Sequence, residues 1–158
     1  MRAMKHTFSA DMPHHPYTML KDSRGRDTKI DAGLAPLITE CWRLGIETSD
    51  CCQEASPGYA DIGLLSLTDM ESFFEAMHTP RKDDPRLLKV DWEMRICDDG
   101  DGEYLDSGAW IPVSLVNTLT DILKRVTRKP CGSSPTKLAD CDCDYLWTSS
   151  GHFSAEIS

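Results

Sequence analysis

The paired cysteines Cys51 and Cys52 are the first residues in this chain whose type could do chemistry. A thiolate can attack an electrophile, and two thiols can contribute ligands to a metal ion. The surrounding residues oppose attack, because Glu47, Asp50 and Glu54 flank the pair and no lysine or arginine lies within the segment. Nearby carboxylates raise the pKa of a thiol and keep it protonated. We therefore predict that neither cysteine is catalytic.

Other potential metal ligands lie along the chain without a recognised spacing. Structural zinc sites commonly take their ligands from closely spaced pairs such as C-x2-C. This chain has CC at 51–52, CDC at 141–143 and a histidine pair at 14–15. The stretch DDGDGEYLD at 98–106 also departs from the calcium-loop pattern D-x-[DN]-x-[DN]-G-x5-E. The sequence predicts no metal site and no cofactor, but it does not decide whether His14–His15 or Cys141–Cys143 binds an ion.

The net charge of −9 is concentrated in the middle of the chain. Residues 1–30 carry six basic and three acidic groups, a balance of +3, whereas residues 31–126 carry eight basic and nineteen acidic groups, a balance of −11. An acidic surface repels the phosphates on which nucleic-acid affinity depends. We therefore expect no direct binding of nucleic acid by the body of the protein. The common phosphate-binding and hydrolase motifs G-x-G-x-x-G, the Walker loop, H-E-x-x-H and G-x-S-x-G do not occur either.

The chain lacks the sequence features of a membrane or secreted protein. No apolar run approaches the roughly 18–20 residues of a membrane helix, and the N-terminal stretch MRAMKHTFSADMPHHPYTML has no continuous apolar segment. Seven cysteines in a chain of 158 residues are then most simply reduced thiols. These features predict a cytoplasmic protein with no membrane partner, and they leave its oligomeric state open, a homo-oligomer included.

Length and composition predict one globular core with a less regular segment on each side. The apolar fraction of 40% and the charged fraction of 27% are those of an ordinary globular domain. We place an extended or hairpin N-terminal segment at 1–29, an α+β core domain at 30–126 and a loosely structured C-terminal segment at 127–158. In the first segment, DSRGRD at 22–27 predicts a turn that closes a short hairpin.

Three segments have the apolar spacing of an amphipathic helix. The first lies within residues 30–46, and the third follows Ser114. The second, at 68–77, opens with a capping box at Thr68, and a charged loop at 78–86 is expected to follow it. Their apolar residues are Leu34, Leu37, Ile38, Cys41 and Trp42; Met70, Phe73, Phe74 and Met77; and Leu115, Leu119, Ile122, Leu123 and Val126.

Four further segments predict β-strands. They are residues 46–52, 59–65, 88–96 and 104–112. Alternation in the first strand places Cys52 inward and Cys51 outward. The third strand, LKVDWEMRI, alternates without interruption, so Trp92 is expected to be buried. The order helix–strand–strand–helix–strand–strand–helix predicts an α+β fold, with an antiparallel sheet of about four to five strands and about three helices packed on one face.

The segment IDAGLAPLITECWRLGIETSDCCQEASPGYADIGL at 30–64 resembles a group of small proteins found in bacteriophages and actinobacteria. These proteins share an Ile-Asp…Ile-Ala-Pro-Leu-Ile helix, a Trp…Gly-Ile…Thr turn, a Ser-Cys-Gln-like strand end and then Gly-x-Ala-x-Ile. WIPVSLVNTL at 110–119 is a second point of likeness, whereas Cys51-Cys52 replaces the usual Ser-Cys. A more distant resemblance, to the Ser-Cys-Ser-Gly-Arg segment of wybutosine-tRNA synthesis methyltransferases, lacks the Gly-Arg. The resemblance implies an α+β fold and a phage origin, and it implies no established activity.

Helices on one face would leave the opposite face of the sheet available to a ligand. We predict a ligand site there, formed by Cys51, Gln53, Tyr59, Asp61, Lys89 and Arg95, with no catalytic residue. Tyr59 would offer a flat ring beside the two cations, which suits an anionic or aromatic ligand. Gly63 would leave room for a close approach to the backbone.

These features favour a small acidic binding protein of phage type over an enzyme. Its partner would be a small, nucleotide-like ligand or a host protein, and counter-defence is the role that family analogy suggests. Two alternatives stay open. One is a small nucleotide- or nucleic-acid-modifying enzyme, and the other is an acidic protein that mimics DNA.

Overall fold

The chain forms a four-stranded antiparallel sheet, a separate two-stranded hairpin and three α-helices in a computed structural model that describes residues 14–98 and 100–126. The strands are β1 Tyr17–Lys21, β2 Asp27–Asp31, β3 Thr48–Ser56, β4 Tyr59–Leu64, β5 Asp91–Asp98 and β6 Glu103–Pro112. The helices are α1 Ala35–Arg43, α2 Leu67–Asp83 and α3 Val116–Arg125, with 3-10 helices at Pro85–Lys89 and Val113–Leu115. The sheet order is β3-β4-β6-β5, and β1 pairs with β2. The predicted α+β class is confirmed.

The helices pack against one face of this sheet. In the two central strands, Ala60 pairs with Ile111 and Ile62 pairs with Ala109, so these four side chains share a face. They belong to one buried cluster with helical residues that include Leu37, Ile38, Cys41, Phe73, Met77, Leu119 and Leu123. The expected packing of three helices on one face is therefore confirmed, and the opposite face is where polar side chains of the central strands collect.

Helix α1 begins at Ala35, and Pro36 occupies its second position. A proline is tolerated there because the first N–H groups of a helix have no intrahelical acceptor. Gly45 follows the helix with a φ of 77°, a left-handed conformation that glycine adopts without strain. The guanidinium of Arg43 donates hydrogen bonds to the carbonyl oxygens of Leu123 (2.7 Å) and Val126 (3.2 Å). This contact ties the end of α1 to the end of α3.

Helix α2 differs from the prediction at both ends. Its N-cap is Ser66, whose hydroxyl accepts a hydrogen bond from the backbone N–H of Asp69, so the expected cap at Thr68 is wrong by two residues. The helix also continues through Pro80 to Asp83, where a loop was expected. Proline removes a single backbone donor, and this one lies within the last turn, where little helix remains to be disrupted. Asp84 then caps the following 3-10 helix by accepting from the N–H of Arg86.

Strand β5 begins at Asp91, three residues later than predicted, because Leu88 and Lys89 belong to the preceding 3-10 helix. The alternation is correct, since Trp92 and Met94 share the face of the sheet that carries Ala109. The predicted burial of Trp92 is wrong: it is 47% exposed. No described residue of β5 belongs to the core cluster. The helices therefore cover the central strands and leave this edge strand half open.

The hairpin β1–β2 confirms the turn predicted at 22–27. The carboxylate of Asp22 accepts hydrogen bonds from the backbone N–H groups of Arg24 and Arg26, both at 2.9 Å. Strand β2 crosses the expected domain boundary between residues 29 and 30. The predicted C-terminal segment 127–158, with its Cys141–Cys143 pair, lies outside the described residues. None of the described helices has the length and apolar character that crossing a membrane requires.

The contrast between two aromatic residues provides a test of this packing. We expect Phe73→Ala to lower the free energy of unfolding by about 3–5 kcal/mol, because Phe73 is fully buried and its removal leaves a cavity. Trp92→Ala should lower it by only about 1–2 kcal/mol, because half of that side chain is already in water. Urea denaturation followed by circular dichroism measures both values. Equal losses of unfolding free energy in the two variants would mean that Trp92 is buried and that the edge strand β5 is covered.

Candidate functional site

A β-bulge in β3 determines which side chains reach each face of the sheet. Thr48 pairs with Leu64, and the next paired residue, Cys51, lies opposite Ile62. Three steps along β3 therefore match two steps along β4, so one extra residue is accommodated at Ser49–Asp50. Because side chains alternate with a period of two, the insertion exchanges the faces expected for the two cysteines.

Cys51 lies on the helix side of the sheet, where it packs against the core. Cys52 pairs with Asp61 on the opposite face. The prediction that Cys51 faces a ligand and Cys52 the core is therefore wrong, because it assumed an uninterrupted strand. Burial raises the pKa of Cys51 to about 12, and burial together with Asp31 and Asp61 raises the pKa of Cys52. Neither thiol is therefore a ready nucleophile.

The same bulge fills the space that Gly63 was expected to leave for a ligand. A Cβ atom on Gly63 would lie 2.5 Å from the backbone oxygen of Asp50 and would also collide with the hydroxyl of Ser49. Glycine is therefore needed so that β3 can approach β4 closely at the bulge. Gly63 therefore leaves no space for a ligand.

Asp61, in the middle of β4, is the buried member of a partly buried charge cluster on the face opposite the helices. Its Oδ2 atom lies 3.4 Å from Nη1 of Arg95 in β5. Arg95 also contacts Asp106 in β6, with 2.7 Å between Nη2 and Oδ2, and Glu93 in its own strand, with 3.7 Å between Nη1 and Oε1. The four side chains are exposed by 26% or less. We refer to these four residues as the Asp61–Arg95 cluster.

Strand register and one glycine bring this cluster together. Arg95 pairs directly with Asp106 across β5 and β6, and Glu93 pairs with Gly108. A Cβ atom on Gly108 would lie 2.5 Å from Oδ1 of Asp61 and 2.7 Å from Nη2 of Arg95, so the absence of a side chain lets both groups lie over the sheet. The guanidinium carbon of Arg95 is 5.9 Å from the ring centroid of Trp110, which is fully buried. This distance allows a cation–π contact.

The cluster carries more negative than positive charge. Three carboxylates and one guanidinium sum to −2 when all are ionised, since −3 plus +1 is −2. Burial raises the pKa of Asp61 to about 6, even though the neighbouring Arg95 lowers it. The Oδ1 atom of Asp61 is buried and has no hydrogen-bond partner among the described residues. With a pKa near 6, Asp61 is mainly ionised at pH 7, and its Oδ1 atom is an acceptor that no described residue uses.

Gln53, the residue after Cys52 in β3, is hydrogen-bonded to residues at the end of the separate hairpin. Its backbone N–H donates to Oδ2 of Asp31 at 2.9 Å, and its side-chain Oε1 accepts from the N–H of Gly33 at 3.0 Å. A Cβ atom on Gly33 would lie 2.6 Å from that Oε1, so a larger residue there would displace the amide of Gln53. Gln53 thus holds the end of β2 against the sheet.

The structure brings together some of the predicted ligand-binding residues and separates others. Asp61 and Arg95 are in contact, and Tyr59, at the start of β4, shares their face of the sheet. Cys51 lies on the other face, and Lys89 is an exposed residue of the 3-10 helix rather than part of the sheet. The expected pair of cations is therefore a single arginine enclosed by carboxylates, which does not suit an anionic ligand.

Sequence reasoning missed Asp106, Trp110 and the position of Cys52. A signal for Asp106 was present, because the turn DDGDG sets the hairpin register in which Arg95 lies opposite it. Cys52 could not be placed without locating the bulge.

Comparison with protein-family models, with curated proteins and with solved structures finds no match to this chain. The function must therefore be inferred from the chemistry of the site.

The raised pKa of Asp61 predicts a pH dependence of stability. In an unfolded chain a carboxyl titrates near 3.8, whereas Asp61 in the folded protein titrates near 6. The folded state therefore holds this proton more tightly, so its contribution to stability is complete below pH 4 and is lost as the pH rises through 6. In the wild type we expect the free energy of unfolding to fall by about 2–3 kcal/mol between pH 4 and pH 7 because of Asp61. Asp61→Asn should remove this fall.

Urea denaturation at half-unit steps of pH measures this decline. Asp121→Asn, on the exposed side of α3, is the matched control and should keep the wild-type profile. A carboxyl-detected NMR titration of Asp61 should give a midpoint near 6. An unchanged decline in Asp61→Asn would contradict the assignment.

Proposed function

We propose that this protein captures a small ligand on the sheet face opposite the helices, through the carboxylates of the Asp61–Arg95 cluster. The observation that supports the proposal is the surplus of negative charge, one carboxylate buried and two partly buried, that the described residues place around one guanidinium. Buried charges that lack full compensation are costly, and a ligand that supplies donors or positive charge removes that cost. The Oδ1 atom of Asp61, which has no hydrogen-bond partner in the described part of the chain, supports the same interpretation.

The charge of the cluster favours a ligand with a donor-rich group. A bare phosphate would meet carboxylates on every side of Arg95, since Asp61, Glu93 and Asp106 already contact the guanidinium. An amino group, an amidinium or the N–H edge of guanine would instead form charge-assisted hydrogen bonds with these oxygens. For a nucleotide-like ligand, we therefore propose that the base, and not the phosphate, lies at the cluster.

We place this capture in a phage counter-defence setting, with a host protein as the alternative partner. The support for this setting is the resemblance of residues 30–64 to small phage proteins. A host partner recognised by the same cluster would present a basic side chain, because the cluster itself is acidic.

Calorimetric titration of the full-length protein tests the proposal. Guanosine and agmatine are the donor-bearing probes, and inorganic pyrophosphate is the anionic probe. We expect a donor-bearing probe to bind and pyrophosphate not to bind. The double substitution Asp61→Asn, Asp106→Asn should weaken binding about 10–100-fold, which is the effect of losing a charge-assisted hydrogen bond.

Asp121→Asn is the control for the loss of a carboxylate, because Asp121 lies on an exposed helix surface. It should bind the probes as the wild type does. Tighter binding of pyrophosphate than of both donor-bearing probes would contradict the proposal. Binding that survives in the double variant would place the ligand elsewhere on the protein.

A second candidate function is a nucleotide- or nucleic-acid-modifying enzyme with Asp61 as general base. The observation that favours it is the pKa of Asp61 near 6, which suits proton abstraction at neutral pH. Chromatographic analysis of a nucleoside and nucleotide panel after incubation with the protein tests for turnover. An activity that rises with pH around 6 and is lost in Asp61→Asn would support the enzyme over capture alone.

A further inference from the structure

Three potential metal ligands meet where the hairpin β1–β2 lies against β3. His15 precedes β1, Asp31 ends β2, and Cys52 lies in β3. A ring nitrogen of His15, a carboxylate oxygen of Asp31 and Sγ of Cys52 all lie within 4.8 Å of one another. The three side chains are partly buried. Three different segments of the chain therefore converge on one point.

His15 provides an independent indication of a ligand. Its Nε2 atom is buried and has no hydrogen-bond partner among the described residues. A buried polar atom without a partner costs free energy, so native proteins rarely leave one unsatisfied. An imidazole nitrogen can be satisfied by a hydrogen bond or by coordination of a metal ion, for which histidine is the commonest ligand.

Backbone hydrogen bonds hold two of the three segments in place. Oδ2 of Asp31 accepts from the N–H of Gln53, the residue after Cys52, at 2.9 Å. The N–H of Ala32 donates to the carbonyl oxygen of Pro16 at 2.7 Å, which fixes the chain next to His15. Metal-binding carboxylates are commonly oriented by such outer contacts.

We propose that His15, Asp31 and Cys52 bind a divalent transition-metal ion of the zinc type. Thiolate and imidazole donors suit zinc and exclude calcium and magnesium, which prefer oxygen ligands. Tetrahedral zinc with these donors needs ligand separations of about 3.3–3.6 Å, so closing from 4.8 Å or less requires only small side-chain movements. A water molecule would supply the fourth ligand, as in zinc sites with three protein ligands.

This inference goes beyond the proposed capture of a ligand, and the two can fail separately. The metal site uses Cys52, which pairs with Asp61, but none of its ligands belongs to the Asp61–Arg95 cluster. Substitutions of Asp61 and Asp106 test the first proposal, whereas substitutions of His15 and Cys52 test this one.

Titration of the reduced, chelator-treated, full-length protein with Co²⁺ tests the site, followed by competition with Zn²⁺. We expect one Co²⁺ per chain with a thiolate-to-cobalt charge-transfer band and visible bands of tetrahedral intensity. Cys52→Ser should abolish the charge-transfer band. His15→Gln should weaken binding by more than about 100-fold, because loss of a ligand exceeds the effect of losing an outer contact.

The chain offers a matched control for each variant. Cys51→Ser changes the neighbouring thiol on the other face of the sheet, and His14→Gln changes the exposed neighbouring histidine. Both should bind Co²⁺ as the wild type does, as should Cys141→Ser, Cys143→Ser. Far-ultraviolet circular dichroism establishes that Cys52→Ser and His15→Gln remain folded.

Several outcomes would overturn the proposal. Absence of Co²⁺ and Zn²⁺ uptake by the reduced wild type would do so directly. A charge-transfer band that survives in Cys52→Ser but is lost in Cys51→Ser or in Cys141→Ser, Cys143→Ser would show that a different cysteine binds the metal ion. Unchanged Co²⁺ affinity in His15→Gln would show that His15 is not a ligand. The convergence of three segments would then no longer support the site.

Discussion

The bulge at Ser49–Asp50 is the constraint on which the polar face of this protein depends. It inserts one residue into β3 opposite Gly63, so Cys51 and Cys52 lie on the faces opposite to those of an uninterrupted strand. Without the bulge, Cys51 would lie beside Asp61 and Cys52 would point toward the helices. With it, Cys52 joins the face that carries Asp61, where the end of the hairpin can reach it. Gly63 makes the close approach of β3 possible.

Buried charge is the second determinant of this face. Arg95 is held between carboxylates from its own strand, from β4 and from β6, so three of the four strands contribute to one ion-pair network. Such a network can fix strand register, although the desolvation of a buried ion pair offsets most of its contribution to stability. Among the described residues, Oδ1 of Asp61 has no hydrogen-bond partner and the cluster carries surplus negative charge, and these two features support the proposal that it binds a ligand.

Local patterns predicted the fold class and most elements, because helical spacing and strand alternation depend on neighbouring residues. The stripe of Phe73 and Met77 and the alternation of β5 are examples of success. The predictions were wrong where burial or strand register depends on contacts between distant parts of the chain. The exposure of Trp92 depends on how far the helices extend over the sheet. The face of the sheet on which Cys52 lies depends on a bulge that the residue types of β3 do not predict. His15 lies in a segment without periodicity, so its approach to Asp31 could not be anticipated.

The register of β3 against β4 is the most direct test of this account. An isotope-edited NOESY spectrum of the uniformly labelled, reduced protein measures which residues lie opposite each other. We expect cross-strand contacts between Cys52 and Asp61 and between Cys51 and Ile62, with side-chain contacts from Cys51 to the helical core. Contacts that pair Cys51 with Asp61 and Cys52 with Ala60 would show an uninterrupted strand and would contradict the placement of Cys52 on the polar face.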